Sequence, residues 1–135
     1  MAWYTMHNVI RSRFRTQVAN ALSLTTQYDN HVIDNPGNDN WCRLTILPGE
    51  TKQVSIGAPS SNRERTVGVM IAQLFSPVQA GDGTILEIAE SIRTAFKRVT
   101  DTGVVFQTPS LKRVGQQIDS WQINVECPFY ADEIG

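Results

Sequence analysis

The sequence predicts an α+β fold: a mostly antiparallel sheet with two main helices packed on one face, in a single domain spanning residues 1–135. Three observations predict it. Thr66 to Ser76 reads as a strand that is apolar on both faces, with Val67, Val69, Ile71 and Phe75 on one and Gly68, Met70, Ala72 and Leu74 on the other. A strand wetted on one side alternates apolar with polar, so both faces of this one are expected to be covered. Directly after it, Ile85, Ile88, Ala89, Ile92, Phe96 and Val99 recur at helical spacing and form one apolar stripe. Near the end, Trp121, Ile123, Val125, Cys127 and Phe129 alternate with Gln122, Asn124 and Glu126, the pattern of a strand with one buried face. The order helix, strands, helix, strands then places helices in a layer against a sheet.

Each element follows from local chemistry. Met6, Ile10, Phe14, Val18, Ala21 and Leu22 recur at three- and four-residue steps, which predicts a first helix from about Thr5. A short extended piece follows Tyr28, and Asp34-Asn35-Pro36-Gly37-Asn38 reads as a turn, because proline pre-sets one dihedral and glycine permits positive φ. Trp41 to Leu47 alternates, with Cys42, Leu44 and Ile46 on one face. Leu47-Pro48-Gly49-Glu50 carries type II turn residues, so Lys52 to Ile56 is expected to return as the partner strand. Gly57 to Asn62 is a polar loop leading into the central strand, which Pro77 should end because it lacks an N–H.

The second helix is expected to start at a capping box made by Thr84 and Glu87 and to stop at Asp101-Thr102-Gly103. Val104 to Phe106 and Ser110 to Val114 read as short strands, and Gly115 to Asp119 as a turn. Pro128 predicts that the last strand lies at an edge or ends there.

Composition narrows the function classes. The chain has 135 residues and a formal net charge of -1, so no global basic field draws it to nucleic acid. No apolar run approaches the roughly 20 residues of a spanning helix, and the start lacks the pattern of a signal peptide. Cys42 and Cys127 are therefore expected as buried thiols in a reducing compartment. Charge is segregated along the chain: Met1 to Tyr28 holds three arginines and no acid, and Asp29 to Asn40 holds three aspartates and no base. That pattern suits a solvated surface, or a unit with oppositely charged ends that stacks against partners.

Motifs for chemistry are missing. His7 and His31 have no metal-ligand spacing with the cysteines or acids, and there is no C-x-x-C, G-x-S-x-G, H-E-x-x-H or P-loop. Arg11, Arg13 and Arg15 interleave with Phe14, but Arg13 points away from the other two, which favours a solvated or intersubunit face over a phosphate site. Gly81-Asp82-Gly83 before a helix reads as a capped turn rather than an anion site. No catalytic residue, cofactor or metal is expected.

Weak motifs recur in a definite order: Tyr28-Asp29-Asn30, Trp41-Cys42-Arg43, Ser55-Ile56-Gly57 and Arg65-Thr66-Val67-Gly68, then Pro77 before a helix, Phe106, Pro109-Ser110, Val114-Gly115, Trp121-Gln122 and Pro128-Phe129. Together they make the chain resemble the phage tail-terminator-like family over nearly its whole length. The resemblance implies a structural virion protein, assembled in the host cytoplasm. Its subunits would close into a ring, usually a hexamer, that caps the tail tube and meets a head-completion (stopper) protein. DNA would only pass through the channel, and no membrane is involved.

Other neck, connector or tube proteins, a nucleic-acid-binding module and a small enzyme are the competing readings. Contact surfaces are expected in the two polar segments, at Asp34, Asn38 and Asp39 and at Ser60, Asn62, Arg63, Glu64 and Arg65, because function concentrates on loops held by a rigid scaffold.

Overall fold

A computed structural model describes residues 3–29, 40–53, 63–77, 83–116 and 120–134. Helix α1 (Trp3–Phe14) runs into a π-helical turn at Arg15–Ala19, and helix α2 spans Gly83–Phe96. The strands are β1 (Thr25–Gln27), β2 (Trp41–Gln53), β3 (Arg63–Pro77), β4 (Thr100–Asp101), β5 (Val104–Phe106), β6 (Ser110–Gln116) and β7 (Ser120–Ile134). They form one sheet in the order β1-β2-β3-β7-β5-β4, with β6 also paired to β7. Among the described residues only the β1–β2 pairing is parallel. The sheet curls into a half-barrel, and the α+β class holds.

The predicted periodicities locate the core. Met6, Ile10 and Phe14 of α1, Val18 beyond it, and Ile85, Ala89, Ile92 and Phe96 of α2 join one buried cluster with alternate residues of the sheet. Those are Cys42, Leu44 and Ile46 of β2, Met70, Ala72 and Leu74 of β3, and Ile123, Val125, Cys127, Phe129 and Ala131 of β7. Met6, Ile10, Phe14 and Val18 are spaced by four throughout, slightly more than one α-helical turn. The i→i+5 bond from the Asn20 N–H to the Arg15 carbonyl (2.8 Å) widens the last turn and keeps Val18 buried. Ala21 and Leu22, expected on the same stripe, are exposed instead because the helix has ended.

Several expectations are corrected. Leu47 to Glu50 is not a turn and Lys52 does not start a returning strand, because β2 runs on to Gln53 against β3 with a register shift between Pro48 and Thr51. Bulges and edges are where a strand tolerates proline, and fifteen-residue β3 offers the continuous partner. Residues 54–56, the rest of that expected strand, lie outside the described residues. Pro128 sits mid-strand rather than at an end. Across from it β6 stops at Ser110↔Glu126 and β5 starts at Phe106↔Phe129, so its missing N–H falls in the seam between two ladders, where its carbonyl accepts the Gln107 N–H (2.9 Å).

Helix α2 begins at Gly83, which puts Thr84 inside the helix rather than at its cap. It also ends earlier than expected. Arg98 takes a left-handed conformation (φ 52°), and Thr102-Gly103 (φ 47° and 88°) forms the tight turn joining β4 to β5. Gly115 lies within β6, next to a bulge, so the turn expected at 115–119 begins later, and residues 117–119 lie outside the described residues.

Gly68 sits where two neighbouring strands leave no room for a side chain. A Cβ there would lie 2.7 Å from Cζ of Phe129 and 2.8 Å from the carbonyl oxygen of Leu47. The oxygen belongs to a paired strand and cannot swing aside. Gly68→Ala is therefore expected to destabilise by about 1–3 kcal/mol through overpacking, read as a lower denaturant midpoint. An unchanged midpoint would contradict that packing.

Candidate interaction surface

Residues opposite one another in an antiparallel ladder share a face of the sheet. The rows that alternate with the buried ones are Leu47–Val69–Pro128, Val67–Tyr130, Thr45–Ile71–Glu126 and Lys52–Arg65–Asp132. They lie on the face opposite the buried residues of the sheet. Leu47 is 48% and Val67 45% exposed, Pro128 is exposed, and Val69, Ile71 and Tyr130 are half-buried. The second apolar face of β3 is thus real, and among the described residues much of it stands exposed.

A charged cluster borders this band. Arg65 donates through Nε to Oδ1 of Asp132 (2.8 Å) and through Nη2 to Oδ2 (3.0 Å), a bidentate fork. Its guanidinium also lies 4.2 Å from the centre of the Tyr130 ring. Arg63 Nη1 stands 3.9 Å from Oδ2 of the same carboxylate. Glu64 is in register with Gln53 on β2 and Glu133 on β7. At the opposite end of the same face Trp41 stacks on Phe75 at 4.2 Å, and Arg43 lies over both rings.

A family model described as phage tail terminator protein matches residues 5–129. The chain belongs to that family. Phage tail terminators are structural proteins of the virion rather than enzymes. Twelve chains of solved structures also match. One superposes with a TM-score of 0.67 at 14% identity, covering 94% of this chain and 95% of its own, which establishes a shared fold. No curated protein matches the sequence significantly.

In this tail-terminator family chain, the expected contact residues fall into two groups. Asp34, Asn38, Asp39, Ser60 and Asn62 lie outside the described residues. Arg63, Glu64 and Arg65 are not loop residues but the first residues of the β3 ladder, where Arg63 and Arg65 are brought against Asp132. Sequence reasoning missed Asp132, Tyr130 and Leu47 as members of this surface. The alternation Arg65, Val67, Val69 on β3 was the available signal, but it named no neighbours.

The Arg65 fork holds the Asp132 carboxyl below the ordinary carboxylate range, its hydrogen bond outweighing partial desolvation, and Arg63 adds to the effect. The folded pKa lies below the unfolded one. The resulting stabilisation is therefore present above the ordinary carboxylate range and disappears as pH falls through the folded value. Asp132→Asn is expected to melt below the parent at pH 7, with the gap closing in acid. A gap independent of pH would remove the carboxylate from this account.

Of the three N-terminal arginines, Arg13 and Arg15 are engaged by groups of the chain itself. Arg13 donates through Nε (2.9 Å) and Nη2 (2.6 Å) to the Ala95 carbonyl at the end of α2, and through Nη1 to Asp101 (3.3 Å). It thereby satisfies a helix-end carbonyl. The guanidinium of Arg15 lies over the Tyr28 ring at 5.4 Å. Cys42 and Cys127 are free and buried, as expected. Burial pushes the Cys42 thiol far up and that of Cys127 to about 12, so neither is a thiolate near neutrality.

Among the described residues no three His, Cys, Asp or Glu side chains are grouped to hold a metal. No helix there is long and apolar enough to cross a membrane. A groove of about 240 Å³ between α2 and β6 is lined by Leu86, Ala89, Pro109, Leu111 and Val125. The two charged residues along it, Glu90 and Arg93, pair with each other at 3.8 Å.

Proposed function

We propose that the protein is a tail terminator whose subunits, folded as one domain with both helices on one face of the sheet, close into a ring. The ring, six subunits in number, caps the phage tail tube, stops its elongation and joins the tail to a head-completion protein at the neck. DNA passes through the channel, and the chain performs no catalysis. The family match over residues 5–129 carries this reading. The alternating burial of β2, β3 and β7 supports the one-sided helix layer, and the uncovered apolar band supplies a surface for assembly.

In this reading the outward face of β2, β3 and β7, from Leu47 to the Arg63-Glu64-Arg65 end, meets a neighbouring subunit or the tube. The polar segments containing Asp34, Asn38 and Asp39 and Ser60 and Asn62 extend that contact. Charged groups at such a rim add attraction that salt screens, since the Debye length shrinks from about 10 Å at 0.1 M to about 3 Å at 1 M ionic strength.

Native mass spectrometry and negative-stain microscopy of the purified protein, alone and with assembled tubes, test the proposal. The expected result is a closed ring of 15.1 kDa subunits that seats on tube ends and loosens as salt rises. A strict monomer that also fails to bind tube ends would overturn it.

A further inference from the structure

We draw no further inference here: the strongest candidate, the apolar groove between α2 and β6 lined by Leu86, Ala89, Pro109, Leu111 and Val125, has nothing in the structure to show what covers it.

Discussion

Phe96→Ala is expected to lower the free energy of unfolding by about 3–5 kcal/mol, the range for deleting a large buried aromatic side chain. Phe96 is fully buried at the end of α2. Its ring meets Phe106 edge-on at 4.9 Å between centres and tilts against Phe14 at 6.2 Å, while Arg13 lies over it at 5.7 Å. Phe106 in turn tilts against Phe129, 6.4 Å away. These rings tie α1, α2, β5 and β7 together. Truncation removes the transfer free energy of the ring and leaves a cavity that four separate elements cannot all collapse to fill.

Domains of this size are typically stable by about 5–15 kcal/mol, so the substitution removes a large share of the total. Urea unfolding followed by tryptophan fluorescence would report it as a lower midpoint with an unchanged slope. Trp3→Ala, at a position 65% exposed, serves as the comparison and is expected within about 0.5 kcal/mol of the parent. A loss below about 1 kcal/mol for Phe96→Ala would mean that the rings do not bear on one another as described.

Val67→Glu is expected to do the opposite: leave the folded subunit nearly as stable and abolish assembly. Val67 is 45% exposed and faces outward beside Tyr130. In the isolated subunit the new carboxylate is solvated, so its effect stays near the small range of surface substitutions. Buried against a neighbour without a partner, it would carry the desolvation penalty of an unpaired charge, several kcal/mol. Each 1.4 kcal/mol weakens an association tenfold, and every interface of a closed ring would contain the change. Sedimentation velocity should show monomer where the parent shows rings, with matched circular dichroism. Rings of normal size from Val67→Glu would place the subunit interface on another face.

The regular elements were legible because their periods are local. Cys42-Leu44-Ile46 and Ile123-Val125-Cys127-Phe129 alternate whatever lies across from them, and the α2 stripe needs only its own spacing. Departures came where a distant partner overrode local chemistry. Pro48-Gly49 is good turn chemistry, yet the β3 ladder carries β2 past it. Pro128 reads as a strand end until the break between β6 and β5 is seen, and nothing local reveals a break in another strand's pairing. Thr102-Gly103 reads as a stop, but Arg98 already lies beyond the helix end and leaves that pair to make a hairpin. The surface was the least legible part. Arg65 and Asp132 are 67 residues apart in sequence, and only the β3–β7 register joins them.

The seam at Pro128 also bears on how the molecule comes apart. On one flank β7 is held along its whole length by β3, while on the other it is held by two separate short strands with a donor missing between them. No ladder hydrogen bond crosses from β6 to β5 through that point. Opening of the β6 ladder need not carry β5 or β4 with it, so Pro128 marks the boundary between two pairings that depend on β7 separately.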